Sequence, residues 1–259
     1  MVIFGKKMMM KTNLISIFVF VLGCFGSMSL CSQTNIDTDI KKMIYKASTS
    51  NSVLLWEKAI SMLETAQKEC PSNEVILHLG YAHYGLAGTC IGKKEETKGT
   101  AAIEKGKTYA EKLLKQADYE DDANALLGGL TGMSIAFSPI SGMFLGSKSD
   151  NYLTKALKLN AENAFALLQQ GSSLYNTPRM FGGDVNAAVS TFEKAIAIFE
   201  KQNDEYDWIK LETMVWLGQA LQNLERTDEA VAVYNKILEK EPNYDWVTNA
   251  LLPKALNSK

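Results

Sequence analysis

The fold of this chain is most clearly indicated by residues 211–242, LETMVWLGQALQNLERTDEAVAVYNKILEKEP. The apolar residues of this stretch recur every three to four positions on both sides of a short polar turn, which indicates two amphipathic helices. Gly218 and Ala230 are small, so two antiparallel helices can approach closely there. Tyr234 is large enough to fill the space between them, and Pro242 cannot continue the second helix. The stretch therefore predicts a helical hairpin.

The order and spacing of these residues resemble the 34-residue tetratricopeptide repeat (TPR), which has a small residue, an alanine, an aromatic residue and a proline at the matching positions. One hairpin cannot bury its own apolar face, so the resemblance implies that further hairpins stack on it. Similar spacing recurs at Ala59, Leu63, Ala66 and Pro71, at Leu79-Gly80, at Leu127-Gly128, at Ala156, at Gly171, and at Ala188, Phe192 and Ala195. The resemblance thus extends over nearly all of 52–252.

The resemblance implies an all-α fold, a right-handed α-solenoid of about four and a half TPR-like hairpins with a C-terminal capping helix. Residues 37–47 could form a short first helix. Residues 52–69 are expected to be the second helix of a hairpin that has no clear first helix. Tyr244 to Leu252 would form the cap, and Pro253 would end it. No strand-like alternation and no flexible linker divides residues 34–259, so they are predicted to be one domain.

The first 33 residues have the layout of a secretory signal peptide. Lys6, Lys7 and Lys11 precede an apolar run at 14–22, small residues follow, and no Asp or Glu occurs before residue 34. The apolar run is shorter than the roughly 20 residues that span a bilayer. We therefore predict that residues 1–33 direct export and that the mature chain starts near Thr34.

Three outcomes of processing stay open. Ordinary cleavage near Cys31 to Gln33 would leave a soluble periplasmic protein. Val21-Leu22-Gly23-Cys24 resembles a bacterial lipobox, so a lipid anchor at Cys24 is the alternative. The residues after it, 25–30, stay apolar where lipoproteins normally turn polar, which favours ordinary cleavage. An uncleaved anchor is the third outcome.

The charge balance argues against one class of partner. Without the first 33 residues the chain carries 24 Lys and Arg against 29 Asp and Glu, a net charge of −5. Non-specific binding to nucleic acid needs a basic surface, so nucleic acid is not an expected partner.

Two cysteines, Cys70 and Cys90, follow the signal region. A helix predicted from residue 73 to Gly88 would separate them by roughly 24 Å, whereas the Cα atoms of a disulfide lie within about 7 Å. We therefore predict two free, mostly buried thiols.

The stretch Ala125 to Gly146 holds 22 positions without a charge. Its length would allow a transmembrane helix, but five glycines, several hydroxyl residues and Pro139 make a packed helix followed by an apolar loop the better interpretation. No transmembrane helix is expected in the mature chain.

The sequence offers little material for catalysis. Residues 101–108, AAIEKGKT, satisfy the loose phosphate-loop pattern, but no apolar strand precedes them. The only histidines, His78 and His83, are offset by about 140° on a helix, so they do not share a metal-binding face. We predict no enzyme activity, no cofactor and no metal site.

Three turns within hairpins are longer than a TPR requires: Gly88 to Gly99, Phe137 to Ser149, and the stretch around 176–184. In a solenoid such turns lie on one edge, which is often the binding edge. The segment Pro178 to Asp184 also resembles a loop of exported bacterial TPR proteins, in which Asp184 would cap the next helix. The residues predicted at this edge either bind a partner or fold back as caps: Ile140, Met143, Phe144, Leu145, Arg179, Met180 and Phe181.

In TPR proteins the first helix of each hairpin lines a concave groove. Matching positions here are Tyr81, Tyr84, Ser172, Tyr175, Asn176, Gln219, Gln222 and Asn223. Tyrosine and amide side chains suit recognition of a peptide backbone, although they could equally only pack or face solvent. The small residues Ala125, Gly129 and Gly132 would locally deepen the groove.

The resemblance implies a non-enzymatic scaffold of the bacterial cell envelope that binds a protein or peptide in its concave groove. The alternative is an accessory protein for small-ligand transport, similar to the T component of TRAP-type systems. An unfilled cavity beside Gly128, Gly129 and Gly132 would favour the alternative.

Overall fold

The computed structural model describes residues 36–257, without the side chain of Met143. The predicted signal peptide at 1–33 and the candidate lipidation site Cys24 lie outside the described residues. In the part that is described, no helix is both long and apolar enough to cross a membrane. The uncharged stretch after Ala125 is divided at Pro139, where one helix has ended and a short 3-10 turn begins.

Within residues 36–257 the chain forms eleven α-helices and no strand. Short 3-10 turns precede α5, α6 and α8, and a π-helical turn at Val247–Leu251 leads into α11. The helices are α1 (Thr38–Thr49), α2 (Val53–Glu69), α3 (Asn73–Lys93), α4 (Glu96–Leu113), α5 (Glu120–Phe137), α6 (Gly142–Leu159), α7 (Ala164–Asn176), α8 (Val185–Gln202), α9 (Trp208–Asn223), α10 (Thr227–Lys240) and α11 (Leu252–Leu256).

The helices pair in sequence as hairpins, and small residues set how closely each pair packs. A Cβ atom on Gly218 of α9 would collide with the ring of Tyr234 on α10. A Cβ atom on Gly171 of α7 would likewise collide with the ring of Phe192 on α8. Both aromatic rings are fully buried. The predicted α-solenoid of helical hairpins is therefore confirmed.

The first hairpin is complete, which corrects the predicted half. Ser52 ends the turn after α1 and caps α2 by accepting a hydrogen bond from the amide of Leu55. Ile40, Ile44 and the rest of the inner face of α1 are buried against the core. Within residues 36–257 the helices therefore form five hairpins and a cap rather than four and a half.

Two of the three enlarged turns are extensions of helices. Helix α3 continues to Lys93, and only Lys94 and Glu95 separate it from α4. Helix α6 starts at Gly142 instead of near residue 149. No proline interrupts either extension, so nothing prevents the helices from continuing. Only the turn between α7 and α8 is a true loop.

Pro253 does not end the capping helix. It lies in the first turn of α11, where a helix needs no backbone N–H from it. Tyr244 and Val247 anchor this C-terminal segment in the core.

The cysteine prediction is right for one residue and wrong for the other. Cys90 is a buried free thiol, but Cys70 is disulfide-bonded. The prediction failed because it considered Cys90 as the only partner for Cys70.

The first and last hairpins meet across the molecule. The indole of Trp56 on α2 packs edge-to-face on Trp208 of α9, with centroids 5.1 Å apart. Lys41 on α1 forms an ion pair with Asp204 at 2.9 Å. The described hairpins therefore close on themselves, and their own side chains occupy the space between the first helices.

Candidate binding surfaces

A buried chain of hydrogen bonds fills the centre of the predicted groove. The amide of Gln169 on α7 donates to the hydroxyl oxygen of Tyr84 on α3 at 2.8 Å. That hydroxyl donates to a carboxylate oxygen of Glu212 on α9 at 2.9 Å, and the Trp216 side chain also hydrogen-bonds to Glu212. Burial raises the pKa of Glu212 to about 7, although these two hydrogen bonds lower it in part. Three first helices are thus joined through one polar network.

Two predicted groove residues lie inside this closed centre. Tyr84 belongs to the network, and the Tyr81 hydroxyl donates to Asp122 at 3.4 Å. Both rings pack edge-on against Phe165, with centroids 4.8 Å and 5.1 Å away. Burial raises the pKa of both tyrosines well above the usual range, so both stay protonated donors.

The other six predicted groove residues lie on the C-terminal halves of α7 and α9, and we call them the outer groove. Asn176 and Asn223 are exposed, and the remaining four are half-buried. The Ser172 hydroxyl and the Gln219 amide nitrogen are buried without a hydrogen-bond partner. The outer groove comprises Ser172, Tyr175, Asn176, Gln219, Gln222 and Asn223.

Two members of the outer groove are held by neighbouring aromatic side chains. The Tyr175 ring packs edge-on against Trp216 at 5.8 Å. The Gln222 carbonyl oxygen accepts a hydrogen bond from the Tyr234 hydroxyl at 2.9 Å. These contacts fix one wall of the outer groove.

The glycines of α5 do not border an empty space. A Cβ on Gly128 would collide with Leu153, and a Cβ on Gly129 would collide with the Gln169 carboxamide. Gly132 faces the Ser149 hydroxyl. The groove is therefore filled rather than deepened here, which leaves the small-ligand transport alternative without support.

Apolar side chains are exposed at the turns that follow α5 and α7, which lie on adjacent hairpins. Phe144 is 79% exposed, Met180 82% and Phe181 64%, beside an Ile140 that is 97% exposed. These four side chains do not fold back as caps. We call them, together with the exposed Arg179, the turn edge. Met143 lies in the same segment, but its side chain is not described.

The loop that carries part of the turn edge is fixed by backbone contacts. The Asp184 amide donates to the Leu174 carbonyl at 3.0 Å, and the Asp184 carboxylate caps α8 by accepting from the amides of Asn186 and Ala187. Gly182 has a φ of +99°, which favours glycine. The predicted capping role of Asp184 is confirmed, and the loop presents its side chains from a defined backbone.

A cavity of about 330 Å³ lies near the N-terminal ends of α5, α7 and α9. Its lining includes His78, Tyr81, Asp122, Asp207 and Trp208. Burial raises the pKa of Asp122 and of Asp207 to about 6 and lowers that of His78 to about 4. The sequence did not reveal this cavity, because each acidic residue taken alone is typical of the first turn of a helix.

The sequence motifs considered for chemistry lie in ordinary helices. Residues 101–108 fall inside α4, so they form no phosphate-binding loop. His83 is buried and stacks on Tyr109 with centroids 5.6 Å apart. Among the described residues, no group of three or more His, Cys, Asp or Glu side chains is arranged to hold a metal ion.

Comparisons with known proteins agree with this architecture. A family profile for the tetratricopeptide repeat matches residues 212–244. The crystal structure of a thermophilic TPR protein from Thermus thermophilus is 19% identical, with a TM-score of 0.52 over 85% of this chain and 98% of the other. YrrB, described as a TPR protein with an unusual peptide-binding site, is 16% identical, with a TM-score of 0.35 over 85% of this chain and 96% of the other. Comparison with curated protein sequences finds no match. The repeat match and the shared fold together support a tetratricopeptide repeat protein.

Proposed function

We propose that this chain is a non-enzymatic scaffold that binds a protein or peptide segment along the outer groove and the turn edge. The TPR fold suggests a protein-interaction scaffold. The observation that carries the proposal is the set of four exposed apolar side chains at the turn edge. Exposed apolar side chains that gather on one edge of a protein mark interaction sites, and the proposal takes the two turns to form one such edge.

The chemistry of the turn edge suits the centre of an interface. Aromatic and methionine side chains are enriched in interface cores, and a few such anchors supply most of the binding energy. Phe144 and Phe181 are the two aromatic anchors here, and Arg179, two residues before Phe181, can pair with a carboxylate of the partner. A partner segment that carries apolar side chains next to an acidic residue would match this surface.

The outer groove can add hydrogen bonds to the partner's backbone. Asn176 and Asn223 present exposed amides, which both donate and accept. A small rearrangement of the Ser172 and Gln219 side chains on binding would give their unpaired polar atoms a partner. The closed centre of the groove limits the segment to this outer end.

We further propose that the protein acts in the bacterial cell envelope, in the periplasm or on a lipid anchor at Cys24. The signal-peptide layout of residues 1–33 supports export. Cell fractionation with the intact mass of the mature protein tests this: a cytoplasmic chain that retains residues 1–33 would reject the envelope location.

A cross-linking experiment tests the binding surface. A photo-reactive aromatic amino acid is introduced at Phe144 or Phe181, and the cells are irradiated. We expect each position to give a discrete adduct with the same partner. The matched control is Leu159, an exposed apolar residue at the other end of α6.

The adduct identifies a partner that can then be tested with purified proteins. Combining Phe144→Ser with Phe181→Ser should weaken binding about a hundredfold or more, because both anchors are lost. Leu159→Ser should leave the affinity unchanged. If the double variant binds the partner as tightly as the wild type does, the turn edge is not the binding surface. The same conclusion follows if the photo-reactive residue at Leu159 gives as much adduct as at Phe144 and Phe181.

A further inference from the structure

The cavity near the N-terminal ends of α5, α7 and α9 has an unbalanced charge. Five carboxylates line it against a single ammonium group, and that ammonium, of Lys41, is already paired with Asp204. Burial keeps the remaining lining histidine, His78, neutral at pH 7. The acidic lining residues are Asp121, Asp122, Glu162, Asp204 and Asp207.

Two of these carboxylates are fixed in place and still have an oxygen to offer. Oδ1 of Asp122 accepts from the Asn163 amide at 2.8 Å and from the Tyr81 hydroxyl at 3.4 Å. Oδ1 of Asp207 accepts from the backbone amide of Lys210 at 2.9 Å and so caps α9. Within residues 36–257, Oδ2 of each accepts no hydrogen bond. Each carboxylate therefore keeps an oxygen that could accept a hydrogen bond from a bound donor.

Aromatic residues supply a further part of the lining. Tyr81, Phe165, Tyr206 and Trp208 all contribute to the walls. Aromatic faces attract cations through the ring quadrupole. The ring of His78, which makes no hydrogen bond to another described residue, adds one further acceptor because it is neutral. Carboxylates and aromatic rings together form the environment that organic cations prefer.

We propose that this cavity binds an organic cation, either an alkylammonium or a guanidinium group. The group can belong to a free small amine or to a Lys or Arg side chain of a bound peptide. A volume of about 330 Å³ is at the lower end of ligand pockets and suits a group of this size. The site lies at the opposite end of the first helices from the turn edge, so it does not depend on the proposed partner surface.

An anion is the competing ligand, since helix N-termini attract negative charge. The chain's own side chains already meet these termini. Asn163 caps α7 and Asp207 caps α9, while the first turn of α5 carries three acidic residues. An added anion would face these carboxylates at close range. Lys210 and Lys240 near Asp207 offset only part of this repulsion.

Calorimetric titration of the full-length protein at pH 7.5 tests the proposal with four probes of matched size. Butylammonium and butylguanidinium should bind, whereas 1-butanol and butyrate should not. A short acetylated peptide with one central lysine, compared with the same peptide with norleucine, distinguishes the two sources of the cation. Binding of free amines alone indicates a small-molecule ligand, and binding of the lysine peptide indicates a partner side chain.

Substitutions locate the site. Asp122→Asn and Asp207→Asn keep an oxygen for the existing hydrogen bonds but remove the charge, so each should weaken cation binding about tenfold. Asp118→Asn is the matched control, since Asp118 is exposed just before α5 and does not line the cavity. The proposal would be overturned if 1-butanol bound as tightly as the cations, if butyrate bound more tightly than they do, or if no cation bound. It would also be overturned if both cavity variants bound the cations with unchanged affinity. The probe series on the unaltered protein decides the matter even if a variant does not fold.

Discussion

Glu212 is a half-buried carboxylate in the closed centre of the molecule, and its titration should be visible in the stability. Burial raises its pKa to about 7 in the folded protein, from an ordinary value of 4.5. Its contribution to the free energy of unfolding is therefore fully present below about pH 4.5 and is lost as the pH rises to about 7. The loss amounts to roughly 3 kcal/mol at most. Glu212→Gln should remove this pH dependence.

Urea unfolding at pH 5 and at pH 8 measures the effect. From pH 5 to pH 8 the free energy of unfolding of the wild type should fall by about 1 to 3 kcal/mol relative to that of the Glu212→Gln variant. Glutamine retains an oxygen that accepts from the Tyr84 hydroxyl, so part of the network persists. Glu205→Gln changes an exposed glutamate and should show no such shift. A difference that is the same at both pH values would show that Glu212 is not titrating in this range.

Helical hairpins in this chain depend on glycines that contact aromatic rings. Replacing such a glycine with alanine should therefore destabilise the protein, which is the opposite of the usual effect in a helix. Alanine in a helix interior is normally favoured over glycine by about 1 kcal/mol. In Gly171→Ala, however, the new methyl group collides with the fully buried Phe192 ring. We expect the variant to be destabilised by about 1 to 3 kcal/mol. Chemical unfolding followed by circular dichroism provides the measurement.

Gly146 provides the matched control, because it also lies within a helix and a Cβ there would meet nothing within 4 Å. Gly146→Ala should stabilise the protein by about 0.5 to 1 kcal/mol. If Gly171→Ala stabilises the protein to the same degree, the close packing of α7 on α8 is not what that glycine provides.

The same contacts explain what the sequence could predict about the elements. The spacing of Gly218, Ala230 and Tyr234 reflects a local contact between neighbouring helices, so the hairpins and most helix boundaries were predictable. The enlarged turns were not, because extra residues without a proline lengthen a helix as readily as a loop. The first residue of α6, Gly142, shows this: seven residues assigned to a turn are helical.

The contact between the first and last described hairpins could not be predicted from the sequence, for a different reason. Small rotations between successive hairpins add up over five repeats, and no local pattern records their sum. The contact between Trp56 and Trp208 joins residues about 150 positions apart in the chain. The buried tyrosines of the predicted groove and the acidic cavity both follow from this closure, since residues of α3 and α9 meet at each site.

Closure should also make the first and last hairpins unfold together, unlike the ends of an open solenoid, which contact only their neighbours. Trp208→Ala removes a buried indole from this contact and should cost about 3 to 5 kcal/mol. Hydrogen exchange read by mass spectrometry should then show lost protection in α1 and α2 as well as in α9 and α10, while α5 to α7 stay protected. Trp246→Ala, at a partly exposed tryptophan of the C-terminal segment, should leave α1 and α2 unaffected. Lost protection confined to α9 and α10 in Trp208→Ala would mean that the ends touch without stabilising each other.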